Sequence, residues 1–372
     1  MAALSAPGTR IEVSDTAALT PPSRSAPIRI LHAPADVGGH AAGLASAERE
    51  LGLDSDVAVF TPGPYGYASD IEFQLEGRPA WRRFATRARF TLKALRSYDI
   101  IHFNFGQSLI TLRAMGRVFN ELPLLKRAGI TILVTFQGCD VRPQTCCSCT
   151  QELCRAEDPY RAPNAARFLR YATRSFHLNP DLRAWLPGSR FLPYASVDLQ
   201  AVRPPAGTAQ RDQVRIAHAP SNREVKGTSH IIAAVEALRA AGAAVELDLI
   251  EGVPRHEVLR RAGEADIVVD QLLNGWYGGF AVEALALGKP VVCHIREEAP
   301  EDNPFGAELP IVRATPQTIG ERLLTLALDP GLRTRLGAEG RAFAERRHDP
   351  RLVAREVLDG IVALSSDSAG VG

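Results

Sequence analysis

The chain has 372 residues, 45% hydrophobic and 23% charged, an ordinary globular composition with room for two or three domains. Lys plus Arg total 43 against 42 Asp plus Glu, a balance that argues against a general nucleic-acid binder. No apolar run reaches the roughly 18 residues that a membrane span needs.

Residues 1–27 are rich in Ala, Pro, Ser and Thr and lack the charged and apolar halves of a signal peptide. They are expected to be a disordered lead-in to a cytoplasmic protein, whose six cysteines are then thiols or metal ligands rather than disulfides. From Ile28 the pattern becomes strand, loop, helix, repeated. Ile28 to Leu31, Val57 to Phe60, Ile100 to Phe103 and Ile130 to Phe136 are near-continuous apolar runs, suited to strands buried on both faces of a parallel sheet. The second half repeats the theme. Strands are expected at Val214 to Ala217, Val245 to Ile250, Ile267 to Val269 and Pro290 to Cys293, with helices over Thr228 to Ala240, Ala281 to Leu287 and Thr315 to Leu328. An internal echo, IRILHAP from Ile28 and VRIAHAP from Val214, marks the first strand of each of two similar domains. The expected organisation is a domain over 28–201, a second over 202–348, a C-terminal helix over 349–364 that can pack back on the first domain, and a tail over 365–372. The linker is placed at Val202 to Thr208.

Three loops carry chemistry. Gly38-Gly39 follows the first strand, where backbone can approach a ligand closely at a helix start; an ordinary turn reads the same way. Ser221 to Gly227 follows the first strand of the second half and holds Arg223 and Lys226, two cations suited to a leaving diphosphate. A solvated basic loop is its bland reading. Asp270 to Ala284 is the strongest: Tyr277-Gly278-Gly279 opens a helix with Glu283 one turn inside. Backbone N–H groups there can meet phosphate, and the carboxylate can accept the hydroxyls of a ribose.

This combination resembles retaining glycosyltransferases of the GT-B fold, family four or group one: α/β chains of two Rossmann-like domains facing each other across a cleft. The resemblance covers most of 28–364 in layout and is motif-specific around 36–40, 221–227 and 270–292. It implies transfer of a hexosyl or N-acetylhexosaminyl group from a UDP- or GDP-linked donor to a hydroxyl, with retention and without a catalytic metal. Arg223 and Lys226 become the catalytic cations; Gly38, Gly39, Ser221, Tyr277, Gly278, Gly279 and Glu283 become donor-side residues. Three departures stand out. Gly275 replaces the motif's first acid, leaving Asp270 as an open substitute; Ser221 stands where the family has its arginine; Gln137 stands where it has a histidine. His32, Asn104, Gln137 and Asp140, at first-domain strand ends, are acceptor-side candidates. A nucleotide-sugar epimerase of the same fold and a non-catalytic nucleotide-sugar-binding scaffold are the rivals.

Two further features stand apart. Cys139, Cys146, Cys149 and Cys154 are spaced either for a structural zinc or as a loop of thiols without metal. Residues 78–96 carry seven cations and no acid. Trp81, Phe84, Ala88, Leu92 and Leu95 share one face of a helix there. An anionic membrane surface or acceptor would suit it, but an aromatic stripe packed on a sheet beneath a solvated arginine face is the favoured reading.

Overall fold

A computed structural model describes residues 27–63, 66–114, 117–146, 152–205, 212–362 and 364. The lead-in at 1–26, the tail from 365 and the linker residues 206–211 lie outside the described residues.

The first half forms a seven-stranded parallel sheet. Its strands are β1 (Arg29–Ala33), β2 (Asp54–Val59), β3 (Ile71–Glu72), β4 (Ile100–Asn104), β7 (Thr131–Phe136), β8 (Arg174–His177) and β9 (Arg190–Phe191). A separate antiparallel hairpin is formed by β5 (Thr111–Ala114) and β6 (Arg117–Asn120). Sheet order is β3-β2-β1-β4-β7-β8-β9. The second half forms a five-stranded parallel sheet, β10 (Val214–His218), β11 (Val245–Leu249), β12 (Ile267–Val269), β13 (Val291–Cys293) and β14 (Ile311–Arg313), ordered β11-β10-β12-β13-β14. Strand order therefore reverses between β1 and β4 in one sheet and between β10 and β12 in the other. In open α/β sheets, ligands bind at such reversals, outside the carboxyl ends of the strands.

Helices cover both faces. Helix α1 (His40–Glu50) lies on one side of the first sheet, and α2 (Ala80–Ser97), α3 (Leu122–Arg127) and α4 (Glu152–Tyr171) on the other, sealing Leu31, Phe103, Val134 and Phe168 into a core. The second sheet carries α5 (Arg223–Lys226), α6 (Thr228–Ala240), α7 (Arg255–Glu264), α8 (Gly279–Ala286), α9 (Ile319–Leu328) and α10 (Pro330–Arg347). Helix α11 (Pro350–Leu358) buries Val353, Ala354, Val357 and Leu358 with Ile30, Leu44, Leu133 and Phe176, so the chain's last helix completes the first sheet's layer. It stops at Leu358, short of the expected Leu364, because Gly360 turns left-handed at φ +62°. Arg341 of α10 donates to the carbonyls of Leu199, Val202 and Ala286, fixing where the connection enters the second half. No helix among the described residues is long and apolar enough to cross a membrane.

Candidate active site

At the β10/β12 reversal, the chain from His218 to Thr228 turns tightly. His218 is buried; Nδ1 pairs with the Val269 carbonyl at 2.9 Å and Nε2 with Thr228 Oγ1 at 2.9 Å. Burial lowers its pKa to about 4, so a neutral ring braces strand to helix. Asn222 caps α5 by accepting the Val225 N–H at 3.0 Å. Gly227 then takes φ +75°, and a Cβ there would press on Leu273 at 3.1 Å. This turn aims Lys226 inward. Its ammonium donates to Asp270 Oδ1 at 3.0 Å, and the other Asp270 oxygen accepts the Gly278 N–H at 2.6 Å. A Cβ on Gly278 would stand 3.1 Å from Lys226 Nζ, so the ammonium sits directly on the start of α8. That helix has no side-chain cap, and the N–H groups of Gly279 and Phe280 have no acceptor among the described residues. An ammonium and open N–H groups at a helix's positive end make an anion site.

Glu283 lies one turn further and is 5% exposed. Burial raises its carboxyl pKa, and Arg255, whose Nε donates at 2.7 Å, pulls it back. We read the pair as charged from this geometry. The Arg255 guanidinium also stands 5.2 Å from the centre of the Tyr67 ring, which comes from the first domain. Tyr67 in turn covers Gly39, where a Cβ would meet the ring at 2.4 Å. Gly38 and Gly39 take φ of +71° and +75°. A Cβ on Gly279 would stand 3.9 Å from the Gly38 carbonyl and 3.6 Å from Ser196 Oγ. The two glycine pairs therefore face each other across the gap between the domains. Asp36 accepts the N–H groups of Ala41 and Ala42 and closes the start of α1. The first glycine loop thus supplies close approach rather than an anion site.

Several residues singled out in the sequence sit elsewhere. Arg223 is 58% exposed and forks onto Glu251, whereas Lys226 pairs with Asp270. Ser221 is exposed. Tyr277 is fully buried with its hydroxyl 3.0 Å from His348 Nε2, so it braces the core instead of lining the cleft. The Gly278 N–H is spent on Asp270. Asp270 itself has both oxygens engaged and its side chain wholly buried, so it does not stand in for the missing first acid. Gly275 takes φ +70°, and a Cβ there would lie 3.2 Å from Arg296 Cβ and 3.3 Å from Nη2. The backbone asks for glycine at that point, and a cation fills the space beside it. Arg296 reaches Asp181 at only 3.8 Å, because Arg142 already holds that carboxylate at 2.8 and 3.0 Å.

In the first domain, His32 is fully buried with Nε2 2.8 Å from Glu48. Asn104 is buried and donates to the His102 carbonyl. Asp140 ties its own turn by accepting the Gln137 and Gly138 N–H groups at 3.0 and 2.7 Å, and burial raises its pKa to about 6. Gln137 Nε2 is buried without an acceptor, which leaves this end of β7 with one uncommitted donor. Of the proposed zinc ligands, Cys149 lies outside the described residues, and no group of three or more potential ligands is arranged for a metal among the described ones. Sequence reasoning missed Arg255, Tyr67 and Arg296, which carry no motif. Asp270's bracing role was legible in principle, as an acid ending a strand at the reversal.

No family model and no curated protein matches the chain. Solved structures do. Sucrose-phosphate synthase from Thermosynechococcus elongatus is 16% identical at a TM-score of 0.60, covering 89% of this chain and 97% of that one. An alpha-glucosyltransferase in complex with UDP and mismatched DNA is 13% identical, TM-score 0.54, covering 89% and 98%. A putative UDP-N-acetylglucosamine 2-epimerase from Listeria monocytogenes is 14% identical, TM-score 0.51, covering 90% and 95%. Likeness at this identity shows the fold, which is GT-B: two Rossmann-like domains facing across a cleft.

Proposed function

We propose that the chain is a glycosyltransferase that takes its sugar from a nucleotide-linked donor held by the second domain. The observation that carries this is the assembly of Lys226, Asp270 and the start of α8, facing Gly38 across the cleft. Bond cleavage in a nucleotide sugar leaves a diphosphate whose negative charge grows as the bond lengthens. A fixed ammonium and open N–H groups stabilise that charge more in the transition state than in the bound donor, which is what lowers a barrier. Asp270 acts through Lys226, holding it over the helix start. Glu283, preset by Arg255, accepts ribose hydroxyls. The acceptor enters from the first-domain side and attacks from the face of the leaving group, with retention, as the motif resemblance implies. A UDP- or GDP-linked hexose or N-acetylhexosamine is the donor class. Arg296 beside Gly275 gives the sugar side of the cleft a cationic rim in place of the family's acid.

The test is a panel of UDP- and GDP-sugars, each with and without candidate acceptors. Nucleotide released only when acceptor is present supports transfer. Isomerised donor without acceptor points to an epimerase, and binding without turnover to a scaffold; either result overturns the proposal.

A further inference from the structure

Helix α2 exposes aromatic side chains beside a run of cations. The stripe expected to pack on the sheet does so only at its end, where Leu95 meets the core; Trp81 is 66% exposed, Phe84 46% and Leu92 53%. Phe90, Thr91 and Ala94 bury instead. Positions 81, 84, 88 and 92 follow helical spacing, so an apolar line runs along the outer side of α2 from Trp81 to Leu92, about 17 Å of helix. Six of the ten large apolar side chains exposed among the described residues fall between 81 and 124, adding Leu112 and Phe119 of the hairpin and Leu124 of α3. The hairpin adjoins α2, since Arg87 lies within electrostatic range of Arg113 and Glu121.

The charges are of one sign. Arg82, Arg83, Arg89, Lys93 and Arg96 are exposed around the line, Arg87 is half-buried over the Phe60 ring, and α2 has no acid. No ion pair involves any of the six among the described residues. Some helical arginines elsewhere are neutralised one turn away, Arg260 by Glu257 and Glu264, Arg335 by Glu339, Arg341 by Glu345, while others such as Arg239 and Arg346 stand singly; α2 alone gathers six cations without an acid among the helices of the described residues. A helix that only covers a sheet gains nothing from outward tryptophan and uncompensated charge. One that lies in the plane of an anionic bilayer gains from both, its aromatics entering the headgroup boundary and its arginines meeting lipid phosphates. Helix α2 follows β3, a parallel strand, so its first turn with Trp81 and Phe84 lies at the carboxyl edge of the sheet, where the Gly38-Gly39 loop also lies.

We infer that this face docks on an anionic lipid bilayer through α2, setting the mouth of the cleft at the headgroups. The inference stands on the surface alone and does not require the transferase reading. The test uses the full chain with phosphatidylcholine vesicles, with or without about a third phosphatidylglycerol, in co-sedimentation and tryptophan emission. Expected is sedimentation with the anionic vesicles only, weakened by added salt, with a blue shift that Trp81→Phe abolishes. Arg82→Gln/Arg83→Gln/Arg89→Gln lowers partitioning by roughly two orders of magnitude, at the usual weight of a cation beside an anionic bilayer. Arg322→Gln/Arg335→Gln/Arg346→Gln removes the same charge away from α2 and leaves partitioning unchanged. Matching circular dichroism and urea melts show that the variants fold. Absence of binding, equal binding to neutral vesicles, or equal loss in both triple variants overturns the inference. So does retention on a soluble polyanion without sedimentation on vesicles, which assigns the face to a polymer instead.

Discussion

Replacing Lys226 by alanine removes the counter-ion of Asp270 and the ammonium at the start of α8, and the consequences separate into two measurable parts. The first is structural. Asp270 is wholly buried and Lys226 is 14% exposed, so the variant leaves a buried carboxylate without its counter-ion. Losing one member of a buried pair costs about 3–5 kcal/mol, and because Asp270 keeps the Gly278 N–H, about 3 kcal/mol is expected. The double variant Lys226→Ala/Asp270→Asn recovers most of that loss, since the amide needs no counter-ion; urea unfolding of the four proteins closes the cycle. The second part is catalytic. If the ammonium neutralises the departing diphosphate, transfer at saturating donor falls by about 100- to 1000-fold, or roughly 2.7–4 kcal/mol. The double variant, though restabilised, stays equally slow. The assay is nucleotide release with donor and acceptor both present, on protein shown to be folded at the assay temperature. Transfer that recovers along with stability in the double variant refutes the reasoning, because Lys226 would then act only as a structural counter-ion.

Further outcomes are expected. Glu283→Gln, which also deprives Arg255 of its 2.7 Å partner, weakens nucleotide binding by about tenfold and erases the preference for ribo- over 2′- and 3′-deoxynucleotides, read by calorimetric titration. Gly275→Glu does not restore a missing acid. With φ +70° and Arg296 3.2 Å from the new Cβ, it destabilises the fold by about 1–2 kcal/mol, visible as a lower urea midpoint. Gly43→Ala drives a Cβ to 1.6 Å from the Ala195 carbonyl oxygen, so α1 must move off the interdomain connection and about 3 kcal/mol or more is lost. His348 is buried between the Tyr277 hydroxyl and the Tyr194 carbonyl, and burial lowers its pKa to about 4. The unfolded chain takes up that proton near pH 6.5 and the folded chain does not, so its contribution is whole above about 6.5 and is lost as pH falls toward 4. His348→Gln shrinks the acid-side drop in unfolding free energy by up to about 3 kcal/mol over that interval.

Much of this protein was legible locally. Runs such as Ile100 to Phe103 and Ile130 to Phe136 are apolar without alternation because a strand buried on both faces has no wet side, and β4 and β7 appear there. The glycine turns before α6 and α8 were legible too, since a left-handed residue or a bare helix start leaves its mark on adjacent residues. What the amino-acid order could not convey is direction: which way a side chain faces and what it meets. Tyr277 and Gly278 are neighbours in a motif, yet the tyrosine points into the core toward His348, 71 residues away, and the glycine's N–H is taken by Asp270. Arg223 and Lys226 are three residues apart, and only the lysine faces the cleft, because Gly227 ends α5 and Glu251 claims the arginine. The stripe from Trp81 to Leu92 fits a sheet-packing helix and a surface-seeking one equally well. Only the docking of Phe90, Thr91 and Ala94 on the core decides that the aromatics look outward. Local periodicity specifies that a helix has two faces; the tertiary structure, through contacts far apart in the chain, decides which one stays dry.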